Sequence, residues 1–250
     1  MTMQSALPNR PVTDTAEGVV RGAFALLNPF RRSYRTQWGA THEELRRALP
    51  GDDVLPEVRW SSTHAIDINA PPDQVWPWIV QIGQGRGGFY SYETLENLFG
   101  CKITNADEIV PELQNLAVGD EIRMHPSDAM PVFKALQVTA PTTLLLGNRP
   151  AYDAKLDSTI GVTWLFQLEP SNPGTTRLIT RWRMFYTPDS TRNRLAFGPM
   201  LIEPIDFVME TKMLQGIKER AERRRAQIEE VDPSEAQPKA HPKWQLPIYP

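Results

Sequence analysis

The sequence predicts an α+β domain in which a run of antiparallel strands is followed by one long amphipathic helix. Three observations predict it. Between Gly198 and Arg225, Leu201, Ile205, Val208, Met209, Met213 and Ile217 recur at helical steps, the spacing of a single apolar stripe. Ahead of that helix the chain alternates apolar and polar residues in several short runs bounded by Gly, Pro and Asn. One strand and two glycine-joined helices precede those runs.

Composition bounds the rest. A chain of 250 residues accommodates one sizeable domain with extensions, and 40% hydrophobic with 23% charged residues is ordinary for a globular protein. The net charge of -3 gives no global case for nucleic acid. Cys101 is the lone cysteine, which excludes an internal disulfide or a cysteine-built zinc site and fits a cytoplasmic protein. Residues 18–30 are apolar but broken by Arg21, shorter than the ~20 residues of a membrane span, and not preceded by a basic region, so a secretory signal is not expected. Val19, Val20, Ala23, Phe24 and Leu27 share a helical face beside Arg31, Arg32 and Arg35. That face over residues 18–35 either packs on its own domain or makes a peripheral contact with an anionic membrane.

The expected organisation is an N-terminal extension over 1–60, a compact domain over 61–228 and a Pro-rich tail over 229–250. In the extension, Thr41 and Glu44 have capping-box spacing and Pro50-Gly51 ends a short helix. The domain opens on a strand in which Ile66 and Ile68 alternate with Asp67 and Asn69. Pro71, Pro72 and Asp73 start a helix with Val75, Trp76, Ile79, Val80 and Ile82 on its apolar face, with Pro77 expected to kink it or shift its start. Gly83, Gly85, Gly87 and Gly88 follow a helix instead of a strand, so a phosphate cradle is excluded and a helix-to-helix corner expected. Arg86 in that corner either pairs with Glu93 or Glu96 or presents a charge at a cavity mouth. Ser91 is placed to cap the second helix, whose Tyr92, Leu95, Leu98 and Phe99 share a face.

Five strand segments follow from about residue 118, the last two joined by the turn sequence PSNPG. In the final strand Leu178, Thr180, Trp182, Met184 and Tyr186 point one way and Arg177, Ile179, Arg181 and Arg183 the other. Val162, Trp164, Phe166 and Leu168 form a matching apolar row, joined by Ile122, Met124, Leu144 and Leu146. Such rows build either plain core or the wall of an apolar cavity. The arginine face is either solvated or covered by the N-terminal arm and its acids. On the long helix, Glu203, Asp206 and Glu210 are assigned to the polar side early, and the basic run from Lys218 to Arg225 to solvent.

The order strand, two helices, antiparallel strands, long C-terminal helix resembles the SRPBCC superfamily, the START and Bet v 1-like proteins that include polyketide cyclases and lipid-transfer domains. The segment INAPPDQVWPWIVQIGQGRGGFYSYETLENL resembles a bacterial branch of it, as do WGATHEELRRALPGDD and EPIDFVMETKMLQGIKERAE. The resemblance implies a helix-grip fold: a curved antiparallel sheet of six or seven strands wrapped around the C-terminal helix, with a cavity between them. Six strands are counted here; a seventh would have to lie between His125 and Val132. Mapped onto this chain, the wall comes from Met124, Leu146, Trp164, Phe166, Trp182, Met184, Tyr186, Phe207, Met209 and Met213, with Tyr90, Tyr92 and Asn97 near the mouth.

The function so implied is binding, with or without transfer, of a small hydrophobic ligand such as a lipid, polyketide or isoprenoid. The alternative is a cofactor-independent cyclase or dehydratase, for which Tyr90, Glu93, Arg86 and Glu203 are the candidate acid–base groups. A third class is a regulatory partner acting through the N-terminal arm and the basic helix end. His42, His64 and His241 show no partner in the sequence. No metal and no cofactor is expected, since no cluster of His or carboxylates has ligand spacing.

Overall fold

A computed structural model describes residues 20, 32–55, 57–127, 132–148, 160–186, 198 and 201–231. Two short helices come first, α1 at Arg32–Thr36 and α2 at His42–Arg46. The predicted capping box is present: Thr41 Oγ1 accepts from the Glu44 N–H at 3.2 Å and Glu44 Oε2 accepts from the Thr41 N–H at 2.7 Å. β1, Trp60–Ile68, is followed by α3, Pro72–Val80, and α4, Glu93–Leu98. Pro77 lies inside α3 without ending it. A 3₁₀ turn at Pro111–Leu113 leads to β2, Glu121–Arg123, and β3, Val132–Thr139. β4, Thr143–Asn148, β5, Ile160–Asn172, and β6, Thr175–Tyr186, complete the sheet, and α5 runs over Ile202–Val231.

The six strands form one antiparallel curved sheet in the order β1-β6-β5-β4-β3-β2, so the first and last strands in sequence are neighbours. Residues 21–31, 128–131, 149–159, 187–197 and those from 232 onward lie outside the described residues. The hairpin between β5 and β6 turns on Gly174, whose positive φ of 73° suits glycine.

Alternation sorts the strands into two faces, as the sequence implies. Two cross-strand rows traverse the inner face: Ser62–Trp182–Trp164–Leu146–Ala135, and His64–Thr180–Phe166–Leu144–Val138. α3 and α5 close over these rows, with Val75, Ile79, Met213, Leu214 and Ile217 in the main core. The outer face is also covered. Leu49 packs with Ala65, Leu145, Leu165 and Ile179, so the segment after α1 is an integral layer of the domain. Its acids meet the arginine face: Glu44 holds Arg177, and Asp52 bridges Arg181 and Arg183.

Three expectations are corrected. Ser91 does not cap α4; its hydroxyl donates to the Met209 carbonyl, and Tyr92 occupies the cap position. Leu98 and Phe99 of the expected α4 face are exposed, because only Tyr92 and Leu95 reach α5. The basic end of α5 is tied to the domain: Lys218 donates to the Asp67 carbonyl, Arg220 to that of Ala106 and Arg225 to those of Asn69 and Gly174.

Candidate functional site

The inner face is aromatic over β3, β5 and β6. Trp164 lies 4.8 Å from Phe166, 5.3 Å from Trp182, 6.1 Å from Phe89 and 6.2 Å from Phe133 by ring centroids. Leu146, Met184, Tyr186 and Met213 are buried in the same cluster. Two polar atoms on this wall are buried without a hydrogen-bond partner among the described residues, Trp182 Nε1 and Thr180 Oγ1.

Towards the β1 edge the wall becomes ionic. Glu203, Asp206 and Glu210 stand three and four residues apart, hence on one face of α5. That face turns inward, correcting its assignment to the polar side: Glu203 and Glu210 are buried while Leu201 and Ile205 are exposed. Non-local partners decide the rotation. Arg32 Nε and Arg35 Nη2 from α1 donate to Glu203 at 2.8 and 3.2 Å. Ser62 Oγ donates to Asp206 Oδ2 at 2.9 Å, and Trp164 Nε1 to Glu210 Oε1 at 3.0 Å.

His64, fully buried on β1, is the centre of this cluster. Its Nδ1 lies 2.6 Å from Glu210 Oε2 and its Nε2 2.6 Å from the Arg35 carbonyl. A carbonyl only accepts, so Nε2 carries a proton. Phe207 and Trp38 present ring edges to the imidazole at 6.1 and 6.5 Å between centroids. Burial alone would lower the imidazole pKa, but the adjoining Glu210 carboxylate, with a smaller push from Asp206, holds it above its ordinary value. Burial and then the negative charge of Glu210 push the Asp206 carboxyl well above the usual range, against the opposing pull of His64 and Ser62. The donor atoms of His64, Asp206 and Glu210 lie within 4.8 Å of one another, so the fold gathers three potential ligand atoms that the linear sequence keeps apart.

The glycine corner carries the sequence-derived candidates. Tyr90 sits at φ 58°, its hydroxyl donating to the Trp78 carbonyl at 3.1 Å and accepting from Gln81 Nε2 at 2.9 Å. Burial raises its pKa. The Arg220 guanidinium lies 4.8 Å from the centre of its ring, and a Cβ on Gly216 would fall 2.3 Å from its carbonyl oxygen. Arg86, for which either a pairing with Glu93 or Glu96 or a charge at a cavity mouth was expected, donates to the carbonyls of Ile82, Val80 and Leu113. Glu93 accepts from the Asn105 N–H. Asn97, exposed, staples the loop at Ile103 through both amide atoms. Tyr92 is buried against Val208, with Phe207 and Met209 packed on the pair, and Met124 is exposed. The structure thus uses Tyr90, Arg86, Glu93 and Asn97 to hold the corner, and gathers ionisable groups at His64, Asp206 and Glu210 instead. A signal for these was available: His64 shares strand parity with the apolar Ile66 and Ile68, and three carboxylates share one helical face.

No protein-family model and no curated protein matches the chain. Similar solved structures include a protein of Mesorhizobium loti at 20% identity and TM-score 0.33, covering 64% of this chain and 97% of that one. A polyketide-cyclase-like protein of Corynebacterium glutamicum matches at 17% identity and TM-score 0.31, covering 70% of this chain and 95% of that one. An Hsp90 activator of Plasmodium falciparum matches at 12% identity and TM-score 0.32, covering 59% of this chain and 94% of that one. The fold assignment rests on the topology itself. A curved antiparallel sheet that brings its first and last strands together and closes over a long C-terminal helix is a helix-grip-like α+β fold.

Proposed function

We propose that the protein binds a small hydrophobic ligand, such as a lipid, polyketide or isoprenoid, between the inner face of the sheet and α5. The observation that carries this reading is the aromatic wall of Trp164, Phe166, Trp182 and Phe133 with Trp182 Nε1 and Thr180 Oγ1 left unpartnered on it. A buried polar group without a partner costs ~1–3 kcal/mol, and a ligand with an apolar body and one oxygen would recover that cost. Native mass spectrometry of the purified protein, followed by solvent extraction, tests it. A co-purifying hydrophobic molecule is the expected result. Trp182→Ala should weaken its retention by about tenfold or more, equivalent to ~1.4 kcal/mol. Unchanged retention in a folded variant would remove Trp182 from the site.

A second reading, a cyclase- or dehydratase-type enzyme acting on the same class of molecule, is favoured by the His64–Glu210 pair. An imidazole held 2.6 Å from a carboxylate in a buried setting is equipped to move a proton at a carbonyl group. His64→Gln should then abolish turnover of the extracted molecule while its binding persists; product formation by this variant would exclude the reading.

A further inference from the structure

His64, Asp206 and Glu210, the first and last buried and Asp206 half-buried, bring one imidazole nitrogen and two carboxylates together. We propose that these three residues bind one divalent first-row transition cation, with Zn²⁺ the ion that fits best. Zn²⁺ with bonds of ~2.0–2.2 Å to nitrogen and oxygen sets tetrahedral donor separations of about 3.3–3.6 Å. The three donor atoms lie within 4.8 Å of one another, so closing on an ion needs only small side-chain movements. One imidazole with two carboxylates suits Zn²⁺ or its first-row neighbours better than an all-oxygen Ca²⁺ or Mg²⁺ site.

Each ligand is oriented from behind. His64 Nε2–H donates to the Arg35 carbonyl, which fixes the ring and leaves Nδ1 as the ligating nitrogen. Trp164 Nε1 holds Glu210 through Oε1, leaving Oε2 beside Nδ1. Ser62 holds Asp206 through Oδ2. Such second contacts separate a ligand set from a chance meeting of charges.

Charge points the same way. Glu203 is answered by Arg32 and Arg35, whereas the basic group that Asp206 and Glu210 share is His64. A divalent cation with a neutral imidazole and two carboxylates leaves no net charge in the buried site. Entry of the ion releases to solvent the proton shared by Nδ1 and Oε2, together with any proton on Asp206.

The cross-strand ladder places further polar side chains beside His64. Thr180 stands directly opposite His64 in the β1–β6 ladder, on the same face and fully buried, and its Oγ1 has no partner among the described residues. Trp182, opposite Ser62, has an Nε1 without a partner among the described residues. A water completing the coordination of a three-ligand zinc would lie on the sheet face that carries both side chains.

The test uses the full chain, stripped with chelator and titrated calorimetrically with Zn²⁺, with elemental analysis of the gel-filtered product. One ion per chain, a raised Tm and proton release into the buffer are expected. His64→Gln, Glu210→Gln and Asp206→Asn should each weaken Zn²⁺ binding by about 10–100-fold, while His42→Gln, an exposed histidine, should not. Asp206→Asn keeps the test falsifiable if the other two variants fail to fold. Absence of stoichiometric Zn²⁺ binding, or binding that survives Asp206→Asn, would overturn the proposal. None of these readouts depends on the occupant of the aromatic wall.

Discussion

On the outer face of the sheet every buried or half-buried acid meets arginine, whereas on the inner face two carboxylates share one histidine. Outside, Arg177 engages both oxygens of Glu44 at 2.8 and 2.9 Å. Arg181 and Arg183 take one oxygen each of Asp52 at 2.6 and 2.5 Å. Burial would raise the Glu44 carboxyl, but the Arg177 fork and the Thr41 N–H bring it down to about 2. Inside, Glu203 has Arg32 and Arg35, but Asp206 and Glu210 share His64 as their basic group, and Asp206 is pushed upward instead. The outer network therefore works as structure, with charges already matched. The inner cluster holds a charge imbalance that a proton or a cation can relieve, and that imbalance is what makes it a candidate site.

The largest expected effect breaks the outer network at its most buried member. Arg181 donates to Thr63 Oγ1, Asp52 and the carbonyls of Glu44 and Arg47. Arg181→Ala strips these contacts, leaving Asp52 to Arg183 and the Leu49 N–H, and should destabilise the fold by about 3–5 kcal/mol, read from chemical denaturation. A loss below ~1 kcal/mol would mean that the network is no stronger than a surface ion pair.

Glu96 extends the comparison to a third acid. Burial, and then the neighbouring Glu93, raise its carboxyl from 4.5 to about 7, so the folded state holds this proton more tightly than the unfolded chain. Stability should fall as pH rises from about 4.5 to 7 and stay low above that. Glu96→Gln removes this slope and should gain up to about 3 kcal/mol relative to the native chain at pH 8. Denaturation midpoints at pH 4 and 8 check it; parallel profiles would place Glu96 in water.

Glu44 has the opposite sign. Its folded value lies below 4.5, so its contribution is complete above that pH and is lost as pH falls toward 2. Glu44→Gln should flatten this acid limb by about 1–2 kcal/mol, allowing for solvent screening. An unchanged limb would assign acid sensitivity to other carboxylates.

The smallest effect belongs to the inner cluster. Because burial and the Glu210 charge both disfavour the Asp206 carboxylate, Asp206→Asn in the metal-free protein should change stability at neutral pH by less than about 1 kcal/mol. A loss comparable to that of Arg181→Ala would show the inner face to be as balanced as the outer one.

Local periodicity by itself determined the strands, their two faces, the capping box at Thr41 and the long helix. It did so because pleat and helical pitch print periods of 2 and 3.6 on neighbouring side chains. The alternation of Leu178 to Tyr186 marked the inner face before any contact was known, and the aromatic part of the candidate site was legible with it. Only the tertiary structure decided what the charged residues meet. His64 and Glu210 are 146 positions apart, and Arg177 and Glu44 are 133 apart. The opening turns of α5 offered two faces, Leu201 with Ile205 or Glu203 with Asp206 and Glu210, and burial of the acids became affordable only once Arg32, Arg35, Ser62 and His64 stood opposite them. Apolar burial follows area and can be read residue by residue, whereas burial of a charge depends on a partner that linear spacing does not reveal.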